Sequence, residues 1–123
     1  MLRTDTVNLL VVDDDHATLL LVKRALALKG YNVICASDGL DALVQIKKEK
    51  PDMVILDVMM PEINGYDVCY QLRFNKDFEQ VPIILLTNRD QELDDSLSQR
   101  LNIEYLSKPF DTQVLLKKVE TFL

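Results

Sequence analysis

The chain has 123 residues, 48% of them apolar and 28% charged, with 20 acidic against 14 basic side chains and a formal net charge of −6. This length is enough for one core and short for two, so a single domain over residues 1–123 is expected. The acidic balance argues against direct nucleic-acid binding, which needs a basic face, and no apolar run approaches the ~20 residues of a membrane span.

Short apolar runs alternate with longer segments of helical period along the chain. In order, the pattern predicts β1 over Leu9–Val12, α1 over Ala17–Lys29, β2 over Val33–Ala36, α2 over Leu40–Glu49, and β3 over Val54–Leu56. It continues with α3 over Tyr66–Phe74, β4 over Ile83–Leu86, α4 over Glu92–Leu101, β5 over Tyr105–Leu106, and α5 over Thr112–Phe122. Runs that are aliphatic on both faces suit strands buried on both sides. Gly30 stands where a helix C-terminal glycine belongs, and Pro51 follows α2 as a stop. Alternating β and α units imply an α/β fold, with a five-stranded parallel sheet flanked by five helices. In α1, at about 100° per residue, Leu21, Val22, Ala25, Leu26 and Leu28 share one face, with Leu20, Lys23, Arg24 and Ala27 opposite. In α4 the apolar stripe is only Leu93, Leu97 and Leu101, so a short, weakly anchored helix is expected.

In such a sheet a ligand site lies beyond the carboxyl ends of the strands. There β1 presents Asp13, Asp14 and Asp15, β3 presents Asp57, β4 presents Thr87, and β5 presents Ser107 and Lys108; β2 offers only Ser37 and Asp38. Three consecutive carboxylates after a buried strand repel one another, and desolvation disfavours their charge further. A divalent cation resolves that conflict, and carboxylates with room left for water and phosphate are how proteins hold Mg²⁺. Asp15 is expected to cap α1 rather than bind metal, and His16 to be exposed and outside the chemistry. Cys35 and Cys69 lie far apart without metal-ligand spacing and read as reduced thiols of a cytoplasmic protein. Met1-Leu2-Arg3-Thr4-Asp5 lacks the apolar core of a signal peptide.

The pieces Val11-Val12-Asp13-Asp14-Asp15, Val54-Ile55-Leu56-Asp57-Val58-Met59-Met60-Pro61, Gly65, Ile84-Leu85-Leu86-Thr87 and Tyr105-Leu106-Ser107-Lys108-Pro109-Phe110 follow one another at spacings that fit one domain. With them the chain resembles the receiver domain of two-component response regulators over essentially its whole length. The resemblance implies strand order 2-1-3-4-5 and makes Asp57 the phosphoacceptor, taking a phosphoryl group from a sensor histidine kinase or histidine phosphotransfer protein. It implies Mg²⁺, with Mn²⁺ as a substitute, bound directly by Asp14 and Asp57, through water by Asp13, and by the backbone carbonyl of Met59. Lys108 would stabilise charge on the phosphoryl group, and Thr87 would donate its hydroxyl to it. Tyr105 would then rotate from an exposed to a buried position, changing the face made by α4, β5 and α5 toward a downstream effector, a linked output domain or a phosphorylation-dependent dimer. Lys108-Pro109 resembles the family's cis peptide. The unit is thus not an enzyme beyond promoting its own phosphorylation and dephosphorylation, and is either a stand-alone receiver or a segment of a longer regulator or hybrid kinase.

The chain departs from the family pattern in three places. Asn88 follows Thr87 where Ala or Ser is usual, Asn102-Ile103 replaces a Gly-Ala pair, and the Thr87–Tyr105 segment is one residue short. On α1, Leu20 beside Leu19, Lys23 and Arg24 is expected to dock a partner helix next to the active edge. Two alternatives compete. Asp13-Asp14-Asp15-His16-Ala17-Thr18 has the Asp-x-Asp form of haloacid dehalogenase-like phosphatases. Those enzymes need a further acidic motif after the lysine, where only Asp111 and Glu120 follow, and they leave Asp57 without a role. A receiver-like module without phosphorylation would not need Asp13, Asp14, Asp57, Thr87 and Lys108 together.

Overall fold

The computed structural model describes residues 6–88 and 99–123. Its strands are β1 (Asn8–Val12), β2 (Asn32–Ala36), β3 (Met53–Asp57), β4 (Ile83–Asn88) and β5 (Ile103–Lys108), all parallel in the order β2-β1-β3-β4-β5. Its helices are α1 (His16–Ala27), α2 (Gly39–Glu49), α3 (Gly65–Arg73) and α5 (Thr112–Phe122). The expected α4 falls mostly outside the described residues; Gln99–Leu101 are helical. The strands run one or more residues past their apolar cores because ladder hydrogen bonds continue where the side chains turn polar, most of all in β5.

Side chains alternate across the sheet with period two, which splits each strand between two cores. Leu9, Val11, Met53, Ile55, Ile84, Leu86 and Leu106 pack with Leu19, Val22 and Leu26 of α1 and with Leu115 and Val119 of α5. Leu10, Val12, Val54, Leu56, Ile83 and Leu85 pack on the other face with Ala42 and Ile46 of α2 and with Val68, Cys69 and Leu72 of α3. The helices begin on polar caps: the side chains of Asp15, Asp38, Asn64 and Asp111 each accept from a backbone N–H of the first turn. Cys35 and Cys69 are free thiols, and burial pushes the Cys69 thiol up to about 12.

The expected core face of α1 needs correction. Leu19, Val22 and Leu26 are its buried residues, whereas Leu21 is half exposed and Leu28 is 82% exposed. The spacing 19-22-26 is the true apolar stripe, and Leu28 already lies beyond the last helical turn, as its C-cap. Leu19 therefore belongs to the core and does not flank Leu20 on the surface.

The departure at Asn102 has a backbone explanation. Its φ is 54°, in the left-handed region where asparagine is the best tolerated residue after glycine. From α3, the Arg73 guanidinium donates to the carbonyl oxygens of Phe78, Glu79, Leu101 and Asn102, tying this turn to the end of that helix. Among the described residues no helix is long and apolar enough to cross a membrane.

Candidate functional site

Parallel strands place their carboxyl ends on one edge, and the register there brings the polar residues together. Val12 pairs with Leu56, so Asp13 and Asp57 leave neighbouring central strands at the same level. Asp57 pairs with Leu86, and Thr87 with Ser107, which sets Thr87 and Lys108 beside them. Asp13, Asp57 and Thr87 are the only buried polar or charged residues among those described.

Lys108 reaches in from β5, its Nζ 2.7 Å from Asp13 Oδ2 and 3.3 Å from Asp57 Oδ1. The Lys108-Pro109 peptide is cis, as the resemblance implied. Asp13 Oδ1 accepts from the Asp15 amide at 2.9 Å, so both oxygens of Asp13 are engaged. Asp14 is exposed at the rim. Burial, and then the charge of Asp13, push the Asp57 carboxyl up to about 6 despite the opposing pull of Lys108. For Lys108, burial pulls the ammonium pKa down, but hydrogen bonding to Asp13 and the charges of Asp57 and Asp13 outweigh it, and the net direction is upward. Thr87 Oγ1 is fully buried with no hydrogen-bond partner among the described residues, which a buried hydroxyl does not carry without cost.

Asp13, Asp14 and Asp57 each offer a carboxylate oxygen, all within 4.8 Å of one another. That is close to the span a small cation bridges when its ligands lie about 2.1 Å away. Among the described residues, two buried carboxylates and one at the exposed rim face a single ammonium, which leaves excess negative charge, and hard oxygen donors favour Mg²⁺ or Mn²⁺. The residues present therefore fit such an ion.

Asp15 caps α1, and the Thr18 hydroxyl holds its carboxyl below the usual range. His16 is exposed, as is the Met59 side chain. Leu20 is exposed on the outer face of α1. Tyr105 is half-buried on β5, its hydroxyl 3.3 Å from that of Tyr66. Two features went unread in the sequence. One is Tyr66 itself, which periodicity alone presents as another half-buried aromatic. The other is a cleft of about 330 Å³ beside Lys108, lined by Thr18, Leu21, Asn88, Pro109 and Phe110.

The floor of the site is set by Gly65, at the start of α3. A Cβ there would lie 2.5 Å from the Asp57 carbonyl oxygen, and the Gly65 amide donates to the Val58 carbonyl at 2.8 Å. Only a residue without a side chain allows α3 to approach the β3 end this closely.

Comparison with known proteins agrees with this geometry. The model of the response regulator receiver domain family matches residues 9–120. The alkaline phosphatase synthesis transcriptional regulatory protein PhoP of Bacillus subtilis is 41% identical over 117 residues, covering 94% of this chain and 48% of that protein. The response regulator MprA of Mycobacterium tuberculosis is 41% identical over 124 residues, covering 96% of this chain and 51% of its own length. The chain thus spans about half the length of these curated relatives. Among solved structures, the chemotaxis protein CheY4 of Vibrio cholerae superposes with a TM-score of 0.88 at 28% identity, covering 97% of this chain and all of that one. These matches do not favour the phosphatase alternative. An acidic cluster at the end of β1, a buried aspartate at the end of β3 and a lysine reaching in from β5 thus sit on one edge of a chain that belongs to the response regulator receiver domain family.

Proposed function

We propose that residues 1–123 form one receiver unit in which Asp57 accepts a phosphoryl group from a phosphohistidine on a sensor kinase or histidine phosphotransfer protein. The observation that carries this reading is the pairing of a buried Asp57 carboxylate with Lys108 on one side and an unpartnered, buried Thr87 hydroxyl nearby. In the transfer, an Asp57 oxygen forms a bond to phosphorus as the phosphorus–nitrogen bond breaks, and the leaving imidazole nitrogen takes up a proton. Asp14, Asp57 and the Met59 carbonyl would hold Mg²⁺ (or Mn²⁺), with Asp13 contributing through water. When bound, the ion neutralises charge between the carboxylate and the phosphoryl oxygens. Lys108 places its ammonium against a phosphoryl oxygen, a fixed charge aimed where negative charge develops. Thr87 donates the hydroxyl that otherwise lacks an acceptor. The same groups position water for hydrolysis of the acyl phosphate, so the unit promotes only its own phosphorylation and dephosphorylation.

Incubation with acetyl phosphate and Mg²⁺, borohydride trapping and peptide mass spectrometry should mark Asp57. Trapping at Asp13 would favour the phosphatase reading, and no trapping at all a module without phosphorylation.

Output follows from motion. A phosphoryl group adds charge and acceptor oxygens; Thr87 moves toward it, Tyr105 turns inward, and the face formed by the Glu92–Leu101 segment, β5 and α5 changes its affinity for an effector, an output domain or a second copy. The chain's coverage of about half of its relatives supports an output domain elsewhere in a longer protein. A cytoplasmic location fits both the free thiols and the kinase partner.

The partner would dock over α1. Leu20 and Leu21 stand exposed beside Lys23 and Arg24, and the cleft beneath Leu21 opens next to Lys108. Leu20→Asp should slow transfer from a phosphohistidine partner at least tenfold while sparing phosphorylation by acetyl phosphate, since burying a charge at a hot spot costs more than about 1.4 kcal/mol. Equal loss with both donors would refute this docking surface.

A further inference from the structure

We propose that Tyr66 is a positioning residue for Tyr105: its hydroxyl holds the Tyr105 ring turned in against α3 and thereby links the end of β3 that carries Asp57 to the β5 face. This rests on the reading of Tyr105 as the moving residue, and adds to it the group that sets its resting balance.

Three observations converge. Tyr66 follows Gly65, whose amide is bound to the Val58 carbonyl and whose Cα leaves no room for a Cβ against the Asp57 carbonyl oxygen. The backbone of Tyr66 is therefore held against the end of β3 with little slack. At the other end, Tyr105 pairs with Leu85 of β4, two residues before Thr87. Its ring packs with that of Tyr66 against the core that includes Leu101 and Ile103. Between the two helps a direct contact, the hydroxyls standing 3.3 Å apart and both partly shielded from water.

Either hydroxyl can donate, so the bond forms without any change of protonation. A rotation that carries the Tyr105 ring out to solvent must break it, because Tyr66 stays with α3. The bond therefore favours the inward position. One neutral hydrogen bond of ordinary net strength shifts such a balance about fivefold. That is enough to tune a switch whose two positions are close in free energy, and too little to lock it. Phenylalanine at 66 would keep the packing and lose only this bias.

The test labels the full chain with 3-fluorotyrosine and follows fluorine resonances of the four tyrosines, assigned by single Tyr→Phe substitutions. Exposure of the Tyr105 ring is read from its solvent isotope shift, with and without Mg²⁺ and the phosphoryl mimic beryllofluoride. Tyr66→Phe should move the Tyr105 resonance toward the exposed position, shifting the inward-to-outward ratio about fivefold. It should also weaken beryllofluoride binding by up to the same factor, and add nothing when Tyr105 is already phenylalanine. A Tyr105 resonance that responds to beryllofluoride but not to Tyr66→Phe would overturn this proposal alone. A resonance indifferent to beryllofluoride, while the mimic still binds, would overturn the switch reading and the role given to Tyr66 with it.

Discussion

Replacing Lys108 by methionine should slow phosphorylation of Asp57 by acetyl phosphate about a hundredfold or more and destabilise the metal-free fold by about 2–4 kcal/mol. The rate effect follows from position: a preorganised cation at a site of developing charge is worth two to three powers of ten in measured cases of similar donors. The stability effect follows from what the lysine leaves behind. Its Nζ lies 2.7 Å from Asp13 Oδ2, a fully buried side chain, and 3.3 Å from Asp57 Oδ1. Without it two carboxylates face each other in a desolvated place with no countercharge among the described residues. Breaking a buried pair costs about 3–5 kcal/mol; partial exposure of Lys108 argues for a value around or somewhat below the lower end of that range. The ammonium pKa is raised in the fold. Its contribution is therefore complete below the unfolded value of 10.5 and is lost only as pH rises through the higher folded value. Urea unfolding at pH 7.5 in EDTA reads the full difference. Mg²⁺ should restore part of the stability but not the rate. A variant as stable as the parent in EDTA would remove the ion pair from this account.

The sequence carried the topology because each strand had to be apolar on both faces and each helix on one. Leu9 through Val12 can be buried only in the middle of a sheet, and Asp13 through Asp15 only at its edge. The site was legible for the same reason: a carboxylate, a hydroxyl and an ammonium directly after buried strands have nowhere to go but the same rim. Angular position on α1 was not legible. Leucines occupy 19, 20, 21, 26 and 28, so several stripes fit the apolar pattern, and only packing against the sheet and against Leu115 and Val119 of α5 selects Leu19, Val22 and Leu26. The Tyr66–Tyr105 contact was hidden too, since the residues are 39 apart and no periodicity relates a helix start to a strand centre. Asn102 looked like a departure from the family because residue type shows side chains, whereas what the turn needs is a positive φ.

Asp57→Asn should abolish phosphorylation and, in EDTA at pH 8, make the fold more stable by about 3 kcal/mol. Burial and the neighbouring Asp13 charge raise the Asp57 carboxyl from 3.8 to about 6. Below the unfolded value the group is protonated in both states and contributes no pH-linked difference. As pH rises from there toward 6, the unfolded chain ionises freely while the folded one resists, so the folded state binds more protons and stability falls. Above the folded value the destabilisation is complete. Asparagine has nearly the same shape and never ionises, so its advantage should be small at pH 4, grow through pH 5 and level off above pH 7. Mg²⁺ should work in the opposite direction. An ion that binds only the folded state adds about 1.4 kcal/mol at tenfold its dissociation constant, and the parent, with three carboxylates around the site, should gain more than the variant. Urea midpoints measured across this pH range, with EDTA and with Mg²⁺, separate the two effects. An advantage of the same size at pH 4 and pH 8 would mean that repacking, not charge, stabilises the variant. Equal gains from Mg²⁺ in both proteins would mean that Asp57 does not hold the ion.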